Sequence, residues 1–252
     1  MHKNSGKKMA GIKKNHSLSI KRASKFSLDA SKLKNIAFIS MIIDHITKAF
    51  LLPLENNSIL LNKINFILLA IGRIAFPIFL FLLVEGFFKT KSTIKYLRNL
   101  FIVAILSEIP FNLFLTGTIH SPKQNMLFTL SFCLLMLIVI DKSKKIIEHS
   151  FINFFFSIMI VNAFVILALI ANVDYDYKAI LITYIMYLFY NKKILSKFLS
   201  YLVVFSKHPF SCLGFILTLF YNGERGKQNK LLNYLIYPIH LLVIGIIKYI
   251  FL

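Results

Sequence analysis

Residues 64–88 have the sequence INFILLAIGRIAFPIFLFLLVEGFF, in which Arg73 and Glu85 are the two charged residues. A mostly apolar run of this length is long enough to cross a bilayer as a helix, since about 20 residues suffice. The pattern continues along the chain of 252 residues, of which 57% are hydrophobic and 26 are Phe. An ordinary soluble domain, a disordered chain and a disulfide-stapled secreted module do not have this composition. The sequence therefore predicts an all-α, polytopic transmembrane helix bundle.

Apolar segments alternate with short polar loops after a basic tail at residues 1–32, which we expect to be flexible and cytoplasmic. No apolar core follows the first charges of the tail, so we do not expect a cleaved signal peptide. Residues 33–252 form a single predicted membrane domain. Its nine predicted spans are residues 33–52, 64–88, 96–115, 126–140, 151–171, 178–190, 194–206, 209–221 and 231–252.

The net charge of +20 comes from 30 Lys and Arg against 10 Asp and Glu. Apart from Lys48, Arg73 and Lys248, which fall within predicted spans, these cations lie in the tail and between apolar runs. They therefore indicate topology and contact with anionic lipid rather than nucleic-acid binding. With the tail inside, the predicted outer loops hold only Lys63, Lys123, Lys178 and Lys207. The positive-inside rule therefore predicts a cytoplasmic N-terminus and nine spans, with the C-terminus outside.

Two ionisable residues are adjacent in the first predicted span, Asp44 and His45. Placing such groups in a bilayer costs a few kcal/mol, so they are candidates for function or for pairing. Asp44 and Lys48 are four residues apart and share a helix face, and they could simply neutralise one another. A neutral imidazole exchanges protons near pH 7, which makes His45 a candidate acid or base.

Arg73 occupies the middle of the second predicted span, four residues before Pro77. Proline has no N–H to donate to the carbonyl of Arg73, so the sequence predicts a broken helix with a free acceptor beside a permanent cation. Such breaks are tolerated where the backbone lines a polar cavity. A structural kink, with Arg73 paired to a carboxylate, is the alternative.

Further polar residues follow at the ends of later spans. Glu108 and Asn112 share a face on either side of Pro110, and Asn125 begins the fourth predicted span. Glu108 is a candidate partner for Arg73 or His45. In the last predicted span, Tyr237 and His240 are three residues apart and fall on one face.

The segment from Asn222 to Lys230 is a glycine-containing basic turn on the predicted inner side. Backbone amides and a guanidinium in such a turn suit a phosphate, although an ordinary loop has the same composition. No zinc-binding His-Glu-x-x-His pair, nucleotide-hydrolase phosphate loop or Gly-x-Ser-x-Gly elbow occurs. The sequence therefore disfavours metalloproteases, primary pumps and soluble-type hydrolases, and no metal is expected.

From about Leu33 to the C-terminus, the chain resembles the TraX family of bacterial membrane proteins. The order and spacing of several short motifs carry this resemblance. They are Met41 to His45, Arg73 to Pro77 with the Phe-rich run into Glu85 and Gly86, Ser107 to Asn112, Asn125 to Thr129, the Asp174 to Tyr177 loop, Tyr221 to Gly223, and Tyr237-Pro238 with His240. The basic tail before Leu33 is not part of this pattern.

The resemblance implies an acyltransferase of the bacterial cytoplasmic membrane. The named member of the family acetylates the pilin N-terminus during conjugal transfer, and the family is akin to transmembrane acyltransferases that use cytoplasmic acyl-CoA. Acetyl-CoA is thus the implied donor. The implied acceptor is an amine or hydroxyl of an exported molecule, with a pilin-like or other secreted peptide, a surface polymer and a lipid all open.

Acyl transfer needs a base for the acceptor and stabilisation of a developing oxyanion, and the polar residues fit these roles. His45 is the predicted general base, with direct acyl carriage as an alternative, and Asp44 would orient it or hold its charge. The predicted pocket residues are Arg73, Glu108, Asn112, Asn125, Tyr237 and His240. Those predicted to meet the phosphates of the donor are Asn222, Gly223, Arg225, Lys227 and Lys230.

Two other functions fit the same residues. A secondary transporter also has ionisable residues in the membrane and proline-broken helices, but it predicts an inverted repeat that the sequence does not show. A non-enzymatic component of a conjugation or secretion system would use the polar residues to hold helices together. Substitution of His45 and Asp44 would then leave function intact.

Overall fold

The computed structural model describes residues 27–54, 58–147 and 149–251. In these ranges the chain forms helices and no β-strand. A π-helical turn (Thr47–Leu51) and a 3₁₀ turn (Leu52–Leu54) extend the first helix, and a 3₁₀ turn (Pro209–Ser211) precedes the tenth. The helices are α1 Ala30–Ile46, α2 Ile59–Gly72, α3 Ala75–Lys89, α4 Thr93–Leu106, α5 Glu108–Thr116, α6 Met126–Ile146, α7 Ser150–Ile170, α8 Asp176–Leu188, α9 Lys193–Val204, α10 Cys212–Leu219 and α11 Lys230–Phe251.

Short polar side chains determine where several of these helices begin. Asp29, Ser58, Ser92 and Asn125 precede α1, α2, α4 and α6, and each accepts a hydrogen bond from a backbone N–H of the first turn. Such caps satisfy amides that have no partner within the helix. Helix α1 therefore begins at Ala30, three residues before the predicted start, and the rest of the predicted tail, residues 1–26, lies outside the described residues.

Five helical stretches of the described chain are long and apolar enough to cross a membrane. They are Ala30–Leu54, Ile59–Lys89, Met126–Ile146, Ser150–Ile170 and Leu231–Ile250, and α4 with α5, bent by 43° at Ser107, makes a sixth if the pair counts as one span. The prediction of an all-α membrane bundle is confirmed. The count of nine spans is not supported, and a cytoplasmic N-terminus does not follow from these helices.

The excess in the predicted count comes from three short apolar segments. Residues 178–190, 194–206 and 209–221 correspond to α8, α9 and α10, which have 13, 12 and 8 residues. At 1.5 Å per residue even α8 is about 20 Å long, less than the roughly 30 Å hydrocarbon core. Helices α8 and α10 pack against α3, and α9 packs against α8 and α10 while exposing large apolar side chains such as Ile194 and Phe198.

The predicted break in the second apolar stretch lies between α2 and α3, where Arg73 and Ile74 form a turn. The hydroxyl of Ser40 on α1 donates to the carbonyls of Ile71 (2.7 Å) and Gly72 (3.1 Å). A side chain from a neighbouring helix thus satisfies backbone acceptors beside the break, as the membrane interior requires. The break positions Arg73 next to the candidate functional site.

Helix α6 lies at the centre of the bundle, packed against α3, α4, α7 and α8. Its residues Cys133, Leu134, Met136 and Leu137 are fully buried. By contrast, α7 exposes large apolar side chains, among them Phe151, which is 74% exposed. An extended apolar surface of this kind marks the lipid-facing side of a membrane protein.

Candidate functional site

A small cavity of about 30 Å³ lies between α1, the break after α2, α5, the start of α6 and α11. We call it the small cavity. Three of the predicted site residues, Asp44, His45 and Tyr237, line it. The remaining lining residues are Met41, Lys48, Gly72, Ala75, Phe76, Phe111, Met126, Asp174 and Tyr175.

A hydrogen-bonded chain joins His45 on α1 to the backbone of α11. Nδ1 of His45 is 2.8 Å from Nε2 of His240, and Nδ1 of His240 is 2.7 Å from the carbonyl oxygen of Ile236. A carbonyl oxygen only accepts, so Nδ1 of His240 carries a proton and donates it. With both rings neutral, Nε2 of His240 accepts and Nδ1–H of His45 donates.

This chain fixes the protonation pattern of His45. Because Nδ1 carries the proton, Nε2 holds the lone pair and is the basic atom of a ring that lines the small cavity. A hydrogen bond to one ring nitrogen holds an imidazole in one tautomer and one orientation. The ring of Phe114 on α5, with its centroid 4.8 Å from that of His45, packs against the imidazole.

Asp44 has a different partner from its neighbour in sequence. Its carboxylate forms an ion pair with Lys48, one turn further along the chain, and packs against Gly72, where any Cβ would lie 2.5 Å from that of Asp44. Within the described residues, His240 rather than Asp44 bonds to the ring of His45. The prediction that Asp44 orients His45 is therefore corrected, because consecutive helical residues point about 100° apart.

A larger cavity of about 260 Å³ adjoins the small one. We call it the basic cavity because five cationic side chains line it, Lys48, Arg73, Lys123, Lys178 and Lys207. Lys48, Asp174 and Tyr175 line both cavities. The remaining residues of the basic cavity are Asn172, Val173, Asp176 and His208.

The loop between α7 and α8 separates the two cavities. Asn172, Tyr175 and Asp176 have positive φ values of 49°, 63° and 48°, which residues other than glycine seldom adopt. The ring of Tyr175 stacks on that of Phe76 with centroids 3.7 Å apart, and Thr129 donates to the carbonyl of Asp174. Strained backbone held by such contacts is typical of functional sites.

The basic cavity changes the pKa of two residues at its wall. Burial, and then the charges of Arg73 and Lys178, lower the pKa of His208 to about 4. Burial also raises the pKa of Asp174, although Lys48 opposes this shift. At pH 7 the imidazole of His208 is therefore neutral, and it does not repel an anion.

The other predicted pocket residues do not line the small cavity. Oε2 of Glu108 accepts a hydrogen bond from Nδ2 of Asn125 at 2.6 Å, and no ion pair between described residues joins Glu108 to Arg73. The predicted pairing of Glu108 with Arg73 is thus wrong. Asn112 donates to the carbonyl of Ile119 at 3.0 Å and so holds the loop after α5. These contacts satisfy polar groups close to where the chain bends.

The basic turn predicted to bind the donor lies at the other end of α1. The turn is hydrogen-bonded to the start of this helix. The N–H of Asn222 donates to the carbonyl of Leu28, and the hydroxyl of Ser31 donates to the carbonyl of Lys227. Gly223 accepts a hydrogen bond from Lys89 at 2.6 Å. Arg225 and Lys227 are exposed, and the side chain of Lys230 lies outside the described part of the chain.

Sequence reasoning missed the residues that the fold brings to the basic cavity. In the sequence these residues are only loop charges, but the fold brings them together from three separate segments that meet at the basic cavity. They are Lys123, Lys178 and Lys207. The sequence gives one indication of this site, because these lysines lie in the predicted outer loops, which hold few cations. The contact of His45 with His240 spans 195 residues, so no local spacing could indicate it.

The fold and the site define a multi-helix membrane protein with a histidine pair beside a small cavity and a basic one. A family model described as TraX protein matches residues 29–248, and the chain belongs to the TraX family. The predicted family resemblance is confirmed.

The chain is also similar to a probable fimbrial assembly protein, FimC of serogroup H1, from Dichelobacter nodosus. The two are 33% identical over 118 residues, which are 44% of this chain and 46% of that protein. The matched region therefore spans about half the length of each. No solved structure matches the chain.

Proposed function

We propose that this protein is an integral-membrane acyltransferase that transfers an acetyl group from acetyl-CoA to an amine or hydroxyl of an exported acceptor, such as a pilin-like or other secreted peptide. Membership of the TraX family supports this proposal, as does similarity to a protein named for fimbrial assembly. The proposed location is the bacterial cytoplasmic membrane, with the start of α1 facing the cytoplasm. The distribution of Lys and Arg supports this orientation.

The observation that carries the proposal is the hydrogen-bonded chain from His45 through His240 to the carbonyl of Ile236. This arrangement leaves the lone pair of His45 on Nε2, on a ring that lines the small cavity. General bases are recognised by this combination of orientation and access.

In the proposed reaction, Nε2 of His45 accepts the proton of the attacking amine or hydroxyl and later returns it to the departing thiol. The bond formed is from the acceptor nitrogen or oxygen to the acetyl carbon, and the bond broken is the thioester. Acetyl-CoA supplies the acetyl thioester when bound. His240 stabilises the imidazolium because its Nε2 continues to accept from Nδ1–H of His45.

The exposed cations Arg225 and Lys227 suit the phosphates of the donor. They belong to the turn that clasps the start of α1, where Nζ of Lys34 donates to Gln228 at 3.0 Å. From Lys34 to His45 the helix rises about 16 Å. In this proposal the phosphates remain at that end of α1, and the acyl arm extends along the helix towards the small cavity.

Purified protein incubated with radiolabelled acetyl-CoA and a synthetic pilin-like peptide tests the proposal, with product identified by mass spectrometry. Wild type should transfer or hydrolyse the acetyl group, and His45→Ala should lose both activities. The exposed His149 provides the matched control, and His149→Ala should behave as wild type. Equal modification by His45→Ala would contradict the assigned base. Flux of a small substrate into liposomes without acyl-CoA would instead favour a transporter.

A further inference from the structure

The basic cavity has an unusual balance of charge for a site in a membrane protein. Of its five cations, Lys48 is paired with Asp44. The other four, Arg73, Lys123, Lys178 and Lys207, form no ion pair with any carboxylate in the described part of the chain. Asp174 and Asp176 are the carboxylates at the cavity wall, so positive charge remains in excess.

Lys178 is the most informative of these cations. Its residue is only 6% exposed, although its side chain lines the cavity. Its ammonium lies over the ring of Tyr177, 4.7 Å from the centroid. A charge on a largely buried residue is costly unless a partner compensates it, and a single aromatic face is a weaker partner than an anion. An anion in the cavity would complete the coordination of this lysine.

The origin of the cations supports the same interpretation. Lys123, Lys178 and Lys207 are three of the four lysines in the predicted outer loops. They come from the loop before α6, the start of α8 and the loop after α9, and the fold brings them to one cavity. Cations that merely set topology would be spread over a surface.

The basic cavity is also placed to serve the histidine pair. Its volume of about 260 Å³ is close to the lower end of small-molecule sites. It shares Lys48, Asp174 and Tyr175 with the small cavity that His45 lines. The guanidinium of Arg73 faces the hydroxyl of Tyr175 between the two. An anionic group held here would lie next to the atoms that react.

We propose that the basic cavity binds a phosphate or carboxylate group carried by a ligand that reacts at His45. The reaction at His45 rests on the proposed acyltransferase function, whereas binding of the anion does not. The two sources of such a group are an acidic acceptor molecule and the phosphates of the acyl donor. Because the cavity lies at the opposite end of α1 from Arg225 and Lys227, we expect an acidic acceptor.

The test measures binding of inorganic pyrophosphate to the full-length protein in detergent by calorimetry. Wild type should bind it, and binding should weaken as KCl is raised, because salt screens these charges. Each of Lys178→Gln and Lys207→Gln should weaken binding about tenfold, since each removes a charge-assisted contact. Lys63→Gln removes an exposed cation on the same predicted side but outside the cavity, and it should bind as wild type.

Two further variants identify the source of the anion. If the acceptor carries it, Lys178→Gln should keep the affinity of wild type for coenzyme A, and Arg225→Gln should lose it. If the donor carries it, Lys178→Gln should lose affinity for coenzyme A as well as for pyrophosphate. Either result supports an anion site in the basic cavity.

Failure of this inference is distinct from failure of the proposed function. His45→Gln should bind pyrophosphate as wild type does, whether or not the protein transfers acetyl groups. Unchanged pyrophosphate binding in both Lys178→Gln and Lys207→Gln would overturn the anion site. Lys207 is exposed, so its variant provides the answer even if Lys178→Gln does not fold.

Discussion

The imidazoles of His45 and His240 are nearly parallel, with an angle of 7° between their planes, and 2.8 Å separates Nδ1 of His45 from Nε2 of His240. Helices α1 and α11 come from opposite ends of the chain, so this contact connects its first and last described spans. In the proposed reaction His240 would be a positioning residue, because it would act through His45.

We predict that His240→Ala lowers kcat for acetyl transfer by about 10- to 100-fold, the usual effect of removing such a support, with little change in KM. His240→Gln should recover part of the loss, because a side-chain carbonyl can accept from Nδ1–H of His45. Steady-state kinetics of the purified variants provide the measurement. A purely structural His240 would instead give parallel losses of activity and melting temperature, with no benefit from Gln.

The ion pair of Asp44 and Lys48 supports a second prediction. Asp44→Asn leaves the ammonium of Lys48 without its partner at the wall of both cavities, so the variant should lose about 1–3 kcal/mol of stability. Lys48 is about one-third exposed, which places the loss below that of a fully buried pair.

Thermal unfolding of both single variants and the double variant forms a cycle that isolates the interaction. Asp44→Asn with Lys48→Gln should be more stable than Asp44→Asn alone, because no unpaired charge remains. Losses that simply add would show that the two side chains do not interact. Lys145→Gln, which breaks an exposed pair with Asp141, should cost less than about 1 kcal/mol.

Two helical glycines provide a graded test of close helix packing, because Gly214 lies against the break after α2 and Gly245 lies against α5. A Cβ on Gly214 would lie 2.5 Å from the carbonyl oxygen of Ile74 and 2.6 Å from Pro77, both rigid groups. A Cβ on Gly245 would lie 3.0 Å from the amide nitrogen of Phe114. We predict that Gly214→Ala destabilises the protein by about 1–3 kcal/mol and Gly245→Ala by less.

Melting temperatures in one detergent measure this order. The intrinsic preference of helices for Ala over Gly applies to both variants, so it cancels in the comparison. Equal melting temperatures would show that α10 does not approach the break as closely as the structure places it.

The sequence predicts the fold class and several of the helices because bilayer thickness sets a length that apolar runs must reach. It overestimates the spans because α8, α9 and α10 are apolar but shorter than the hydrocarbon core is thick. Hydropathy measures the polarity of a segment and not the length of the helix that it forms. Proline gives a better local signal, and the break before Pro77 lies where its missing N–H predicts it.

For the site, the sequence identifies His45, Asp44 and Tyr237 as residues of interest, and all three line the small cavity. The spacing of four residues indicates the ion pair of Asp44 with Lys48, which the structure contains. The predicted partner of Glu108 is wrong, because contacts between helices depend on helix rotation and not on spacing along the chain. Glu108 instead accepts a hydrogen bond from Asn125, which is 17 residues further along the chain. The basic cavity could not be predicted from the sequence, because its residues come from segments that meet only in the folded protein.

His208 provides a pH test of the basic cavity. Burial, and then nearby cations, hold the pKa of His208 at about 4, below the value near 6.5 of an unfolded chain. As the pH falls below about 6.5, the unfolded chain takes up a proton that the folded protein does not. The contribution of His208 to stability is therefore present above pH 6.5 and is lost as the pH falls towards 4.

We predict that His208→Gln abolishes this loss, so that the melting temperature of wild type falls relative to the variant between pH 6.5 and pH 4. Asp174 has a raised pKa and acts in the opposite direction, but it is present in both proteins and largely cancels in the difference. Melting curves at half-unit pH intervals make the comparison. NMR titration of the His208 ring in Lys178→Gln checks the cause, because removal of that charge should raise the pKa of His208. A melting difference that is the same at every pH would show that the pKa of His208 is not lowered in the folded protein.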